Sequence, residues 1–290
     1  GSLWGLFTPK DDDAAQGIVI ARSATAGTWA GGGNVLTESA NGAGIRTFDL
    51  LAAGSKLYAI MGDANDHILR YSLDGITWSV PATTPPPLNL LSATKATMLA
   101  DHDGARLGYD GTNVVLALHD EIGGEVEIWK STNGGDTWTS VVTFSSGTGP
   151  TGMVTYTDIT DNTVMLVGTG EGVWEVDIAA ATAELILALP IATNNCRRMT
   201  VHNGAVYVPV DHGTNATFGM KKITVRGGVR FFDDVGLDIT QGVPSGLQQA
   251  IYWMNSLGPW LFAAVFSNTA LTGYIIALSG LPGEGWQHVR

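Results

Sequence analysis

The residues with the right chemistry for catalysis fall mainly where the chain turns. Asp63, Asp66, Asp101, Asp103, Asp120, Glu121, Asp158 and Asp211 all lie in predicted turns. A glycosidase needs only two carboxylates, about 5–5.5 Å apart for retention or about 6.5–9.5 Å for inversion. Turn carboxylates also bond backbone N–H groups of their own loops, and that local role is the one expected of them. Asp101-His102-Asp103-Gly104 and Asp211-His212-Gly213 each place a histidine beside carboxylates. A metal would need three or four ligands converging from separate loops. His67, His102, His119, His202, His212 and His288 show no spacing of the His-x-x-x-His kind, and Asp101, Asp103 and Asp110 lack most positions of a calcium loop. Asp11-Asp12-Asp13 reads as a solvated acidic turn. Cys196 has no nucleophile motif around it and reads as a small buried hydrophobe. Gly31-Gly32-Gly33 and Gly168-Thr169-Gly170-Glu171-Gly172 follow strands but precede no helix, so the dipole of a phosphate loop is missing. No metal and no cofactor is expected.

The elements that would position any such groups declare themselves at Lys130-Ser131-Thr132-Asn133-Gly134-Gly135-Asp136-Thr137-Trp138. Before this stretch Glu125–Lys130 alternates polar and apolar residues with the period of a strand. After it Thr137–Val142 is β-branched and aromatic. Asn133 can bond backbone N–H groups two residues on, and Gly134 and Gly135 can take the positive φ of a tight hairpin. The pattern recurs at Tyr71-Ser72-Leu73-Asp74-Gly75-Ile76-Thr77-Trp78, and in a worn form at Arg22-Ser23-Ala24-Thr25-Ala26-Gly27-Thr28-Trp29. The repeated elements are Ser72, Asp74, Gly75, Thr77 and Trp78, then Ser131, Asn133, Gly135, Thr137 and Trp138, and finally Ser23, Gly27, Thr28 and Trp29, where Thr25 stands nearest the lost acidic position.

These motifs resemble the Asp-box (BNR) repeat of sialidase-like β-propellers, a fold that many non-enzymes share. The resemblance implies boxes on the outer rim, away from the ligand-binding face, so they are expected to be structural. A sialidase would further need three arginines for the substrate carboxylate, a Tyr–Glu nucleophile pair and an Asp acid. Arginine suits that carboxylate because its planar fork binds both oxygens. The family's Phe/Tyr-Arg-Ile-Pro motif is absent, and the nearest position is Arg46 in Gly44-Ile45-Arg46-Thr47. Arg197, Arg198 and Arg226 carry no diagnostic context.

Around the turns a unit of some 40–60 residues repeats, the length of a propeller blade. The second unit is read as Ile45–Leu51, Lys56–Met61, His67–Tyr71 and Trp78–Val80. The third is Ala105–Tyr109, Asn113–His119, Val126–Lys130 and Trp138–Phe144. The fourth is Met153–Thr157, Thr163–Gly168, Gly172–Val176 and Ala183–Leu189, the last favoured as strand although its composition also suits a helix. The fifth is Arg198–His202, Ala205–Val210, Lys221–Val225 and Val229–Phe232, and the sixth is Gln249–Met254, Trp260–Phe266, Tyr274–Leu278 and Trp286–Val289. Second strands such as Asn113-Val114-Val115-Leu116-Ala117 and Thr163-Val164-Met165-Leu166-Val167 are almost continuously apolar, as strands buried on both faces are. Pro81–Leu88, with Pro85-Pro86-Pro87, must be a loop. The expected fold is all-β, a propeller of six four-stranded blades: five full ones and an incomplete first blade at Gly17–Gly33. Residues 1–16 form an amino-terminal segment able to lend that blade a strand, and residues 17–290 form a single propeller domain.

At 290 residues the chain is long enough for one large all-β domain. A charged fraction of 14% against 44% hydrophobic residues argues against disorder. The net charge of -12 excludes nucleic acid and anionic membranes as natural partners. The most apolar run, Leu257–Phe266, is too short to span a bilayer, which takes about 20 residues, so no membrane insertion is expected. Lone Cys196 allows no internal disulfide, and the amino terminus reads without a basic and then apolar leader. The sequence thus points to a non-catalytic binding or structural module of a virion, phage tail or cell-surface assembly, extracellular or virion-associated. Its partners would be other protein subunits or a surface glycan. The alternatives are a sialidase-like glycoside hydrolase, or an assembly factor of the photosystem-associated kind using Arg197, Arg198, Lys221, Lys222, Arg226 and Arg230. The apolar ends, Leu3–Phe7 and Trp286–Val289, suggest ring closure near the first and sixth blades and a partner contact there.

Overall fold

The computed structural model describes residues 3–7, 18–25, 28–36, 46–62, 67–75, 77–79, 105–120, 124–189, 195–196, 198–211, 219–235, 249–267, 272–278 and 287–288. The chain divides into two compact units, residues 1–145 and 146–290. Every described element is a strand, and all pairings are antiparallel.

The first unit holds three sheets. Strands β1 (Leu3–Phe7), β2 (Ile18–Thr25) and β3 (Thr28–Leu36) pair in chain order, as do β4 (Arg46–Ala53), β5 (Lys56–Gly62) and β6 (His67–Ser72). The third sheet contains β7 (Ala105–Tyr109), β8 (Val114–Asp120), β9 (Glu125–Ser131) and β10 (Thr139–Ser145). In the second unit β11 (Gly152–Thr157), β12 (Thr163–Gly168), β13 (Gly172–Asp177) and β14 (Thr182–Ala188) form one four-stranded meander. Next come β15 (Asn195–Cys196) and β16 (Thr200–His202), both on β17 (Ala205–Asp211), followed by β18 (Gly219–Arg226) and β19 (Val229–Val235). The last sheet is β20 (Gln249–Leu257), β21 (Trp260–Ser267), β22 (Thr272–Leu278) and β23 (Gln287–His288). The six antiparallel sheets, three in each unit, follow in chain order as propeller blades do, with β1–β3 as the incomplete first blade.

The apolar second strands become the cores. Val114–Leu118 on β8, Val164–Val167 on β12 and Val206 and Val208 on β17 are essentially inaccessible. Such strands must be covered on both faces, which is why neither face of these sheets carries an alternating polar pattern. The last strands show the opposite: β14 and β19 are half-exposed along their length, with Val229, Phe231 and Phe232 open to solvent. One core gathers Tyr58, Ile60, Leu69, Leu107, Leu116 and Trp138 in the first unit. A second joins β11–β14 to β15–β19 through Tyr156, Leu166, Cys196, Val208 and Ile223.

Most strand expectations match within a residue or two, and the departures are instructive. Ala183–Leu189, favoured as strand against its helical composition, is indeed strand β14, entered by a turn in which Asp177 Oδ1 accepts both Ala179 N and Ala180 N, at 2.8 Å each. The strand expected at Arg198–His202 is shortened to β16, and an unexpected short strand, β15, precedes it on the same partner β17. The cause lies at Cys196, whose amide donates to the Thr169 carbonyl (3.1 Å) outside its own sheet. The strand expected at Trp78–Val80 is reduced to a single bridge between Tyr71 and Ser79. The amino-terminal segment does lend a strand: β1 pairs with β2 from Leu3 against Ser23 to Phe7 against Val19.

Candidate functional site

The turns from β6 and from β9 share one hydrogen-bonding scheme. In the first, Ser72 Oγ donates to Asp74 Oδ1 (3.1 Å) and accepts from Gly75 N (2.7 Å), while Thr77 N donates to Asp74 Oδ1 (2.7 Å). In the second, Ser131 Oγ donates to Asn133 Oδ1 (2.9 Å) and accepts from Gly135 N (2.8 Å), while Thr137 N donates to Asn133 Oδ1 (2.9 Å). The second turn is longer by Gly134. Gly134 and Gly135 absorb the extra residue at φ of 71° and 93°, backbone that side-chain-bearing residues adopt at a cost. Trp138 closes it, 8% exposed, its Nε1 donating to Gly135 O at 2.9 Å. Trp78 is only half-buried, and its indole nitrogen is buried without a hydrogen-bond partner. In the worn copy Ser23 lies on β2 and Thr28 and Trp29 on β3, with Thr25 opposite Thr28; Gly27 lies outside the described residues.

These turns fasten sheets together. Lys56 Nζ donates to Gly134 O at 3.2 Å and sits 4.4 Å above the Tyr71 ring. A Cβ added at Gly134 would meet Lys56 Nζ at 2.9 Å and the Tyr58 hydroxyl at 3.2 Å. Burial, aided by the charge of Asp136, pushes the Tyr58 hydroxyl up to about 12. Beside them the buried carboxylate of Asp49 accepts Leu107 N at 3.0 Å across to β7.

Of the carboxylates singled out in the sequence, Asp63, Asp66, Asp101, Asp103 and Glu121 lie outside the described residues, as do His102, His212, Asp11–Asp13, Arg197 and the proline loop. Arg46, Asp120 and Asp211 lie on strands β4, β8 and β17. Among the described residues no cluster of histidine, cysteine and carboxylates could hold a metal. Cys196 is fully buried in the second core, and desolvation pushes its thiol up to about 12, so it packs and does not react.

Asp158 is the exception that leads to a site. It occupies the β11–β12 turn, where its Oδ1 accepts Thr160 N, Thr160 Oγ1 and Asn162 N at 2.8–2.9 Å. Burial would raise its carboxyl, but these bonds and the nearby charge of Arg230 outweigh it and hold Asp158 below the usual carboxylate range. Beside the turn opens a pocket of about 320 Å³ lined by Thr155, Tyr156, Thr157, Asp158, Asp161 and Thr163, with Val201, Gly204 and Val225 as its apolar wall. Tyr156 is 7% exposed and its hydroxyl is buried without a hydrogen-bond partner. Desolvation raises that hydroxyl above its ordinary value, Arg230 opposing and Glu175 and Asp158 reinforcing the effect.

Behind Tyr156 lies a nearly buried ion pair. Arg230 Nη2 on β19 donates to Glu175 Oε2 on β13, tying neighbouring sheets, while Arg230 Nε is buried without a partner. Desolvation lifts the Glu175 carboxyl above its usual range despite the guanidinium beside it. Tyrosine, glutamate, aspartate and one arginine thus lie near one another, where a sialidase centre would need three arginines, and Glu175 is engaged by Arg230 and not by Tyr156. Three members of the alternative basic cluster have partners. Lys221 pairs with Asp234 (2.5 Å), Lys222 lies 5.7 Å from the Tyr207 ring centroid, and Arg230 is held by Glu175. Sequence reasoning passed over Tyr156 and Glu175, and read Arg230 only as part of a basic cluster. The available signal was a glutamate inside the otherwise apolar Val173-Trp174-Glu175-Val176.

No family model and no curated protein matches the sequence. Solved structures do match in fold. A fucose-specific lectin from Aleuria aurantia superposes with a TM-score of 0.57 at 14% identity over 99% of this chain and 90% of the lectin. A chain from a nidogen/laminin complex gives 0.51 at 12% identity, over 96% of this chain and 89% of that one. A prolyl endopeptidase gives 0.55 at 13% identity; all of this chain is covered but only 41% of the peptidase, so the chain spans less than half of that enzyme. At such identities the likeness is one of fold.

Proposed function

We propose that this chain is a non-catalytic β-propeller module that binds a hydroxyl-bearing ligand, with its Ser-Asx-Gly-Thr-Trp turns acting as structural Asp boxes. The observation that carries this reading is the β11–β12 pocket, which Thr155, Tyr156, Thr157, Asp158, Asp161 and Thr163 line beside an apolar wall. Few convergent polar groups on a largely apolar concavity are the usual make-up of a ligand site. The boxes support it from the other side: their polar atoms bond within their own turns, which leaves them scaffold. The module's setting would be a virion, tail or cell-surface assembly, with a glycan or another subunit as partner. The three strands of the β1–β3 sheet are where a partner's strand would add. A fucose-specific lectin and a chain of a nidogen/laminin complex share the fold, and so does a prolyl endopeptidase, so the fold is compatible with a binding module without choosing it over an enzyme.

A sialidase-like or other glycosidase is the second reading, favoured by the gathering of Tyr156, Glu175, Asp158 and Arg230. A glycan array run beside sialoside and aryl-glycoside turnover assays separates the two. Saturable binding with no released aglycone supports the module, and turnover by the purified chain would replace it with the enzyme.

A further inference from the structure

We infer that β19 is a self-pairing edge, at which a second copy of this chain adds its own β19 antiparallel to form a two-fold symmetric dimer. This goes beyond the ligand that the module binds and does not depend on it. A sheet edge offers unpaired N–H and C=O groups, and native proteins blunt it with bulges, short strands, lysine or proline. In four sheets the last strand, β10, β14, β19 or β23, ends the sheet among the described residues. Three of these are blunted. The β9–β10 ladder shifts register between Ser140 and Val142, the β13–β14 ladder shifts between Val173 and Trp174, and β23 is two residues long. In contrast, β19 runs seven residues against β18 without a break and contains no lysine, proline or glycine. It also carries Val229, Phe231 and Phe232 at 53%, 43% and 38% exposure, the last two being the most exposed phenylalanines among the described residues.

Such apolar exposure favours a partner of some kind, and the order of the residues selects a second copy. Val229-Arg230-Phe231-Phe232-Asp233-Asp234-Val235 is complementary to itself when reversed. A two-fold axis through Phe232 sets Arg230 opposite Asp234 twice, Val229 opposite Val235 twice, and Phe232 opposite its own mate. Asp233 then falls opposite Phe231, and no like charges face each other. Neighbouring registers do worse. An axis through Phe231 sets Arg230 against Phe232 and Val229 against Asp233, and an axis through Asp233 sets that carboxylate against itself, which is destabilising. The charges within one copy are already placed for the first arrangement. Lys221 bonds Asp234 at 2.5 Å from the adjoining strand, and Glu175 holds Arg230 from β13. Across the dimer the order becomes Lys221 and Asp234 of one copy, then Arg230 and Glu175 of the other, alternating in sign. Cross-strand pairs of these kinds each contribute modestly, and two strands of this length bury far less than the roughly 1,600 Å² of a standard interface. The dimer is therefore weak and concentration-dependent.

Sedimentation equilibrium of the full chain tests this up to about 1 mM, the concentration at which even a millimolar dimer is half formed. A reversible monomer–dimer equilibrium is expected. Phe232→Lys places two ammonium groups at the axis from a position exposed in the monomer, and should weaken the dimer about ten-fold or more while the Tm of the dilute monomer stays unchanged. Disulfide trapping reads the register separately. Phe232→Cys sets its thiol opposite its own mate, at a Cα separation that a disulfide spans, whereas Val229→Cys lies about 20 Å from its mate. Cys196 is fully buried and does not compete. Under oxidation Phe232→Cys should form a covalent dimer and Val229→Cys should not. A chain that stays monomeric at every concentration and yields no trapped dimer would overturn the inference and leave the β19 edge to a strand of another protein. Equal dimerisation of wild type and Phe232→Lys, or equal trapping at both cysteines, would place the contact elsewhere and overturn it as well. Growth beyond dimers that Phe232→Lys abolishes would overturn the closed two-fold pairing.

Discussion

The turn from β9 to β10 and the turn from β11 to β12 solve one backbone problem in the same way, yet they differ in what lies beside them. Each ends a strand with an Asx side chain accepting backbone N–H groups a few residues on: Asn133 from Thr137, and Asp158 from Thr160 and Asn162. Around Asn133 the network continues until it closes, taking in Ser131, Gly135 and the Trp138 indole. Around Asp158 it stops short, leaving Tyr156 Oη and Arg230 Nε buried and unanswered beside an open pocket. A closed network is worth stability. An open one costs stability, because its buried polar atoms go unanswered.

The most forceful way to break the comparison is to remove its anchor. Trp138→Ala should cost about 3–5 kcal/mol, as large buried aromatic truncations do, and a urea melt showing wild-type stability would mean that the β9–β10 turn is not fastened by its indole. On the other side, Glu175→Gln strands the Arg230 guanidinium in a nearly dry site and should cost about 3 kcal/mol. Calorimetric melts of Glu175→Gln beside a double variant with Arg230→Met should show the second change restoring much of the loss.

Sharper, though smaller, is the deletion of one hydroxyl from each region. Ser131→Ala should cost about 1–2 kcal/mol, because it leaves the buried Gly135 N without a partner. Asn133→Ala should cost nearer 1 kcal/mol, its bonds being exposed to water that can replace them. Tyr156→Phe should cost nothing measurable in the same urea series. Equal penalties for Ser131→Ala and Tyr156→Phe would erase the distinction between a closed turn and an open site.

Much of the architecture was legible in the residues. Period-two alternation in Glu125–Lys130, the apolar runs at Val114–Leu118 and Val164–Val167, and the glycines at 75, 134 and 135 act through local backbone preference and burial, which depend on neighbours in sequence. Those same rules placed strands within a residue or two over most of the repeat. They fell short where a contact from outside the sheet intervened: the strand expected at Arg198–His202 is shortened to β16, and Cys196 before it bonds Thr169, which no local pattern announces. Ala179–Leu189 has the composition of a helix, and pairing with β13 makes it the strand that its place in the repeat called for.

The candidate site divides the same way. Asp158 was recognisable as a turn carboxylate from the sequence, and its bonds to Thr160 and Asn162 are those a turn aspartate makes. That Tyr156 lies beside it with an unused hydroxyl, and that Glu175 and Arg230 meet behind it from strands 55 residues apart, is decided by the packing of β11–β14 against β15–β19. Sequence reports what each residue can do with its near neighbours along the chain. Which polar atoms remain unpaired after folding is a property of the packed interior, where desolvation makes the count matter, and only the tertiary structure contains it.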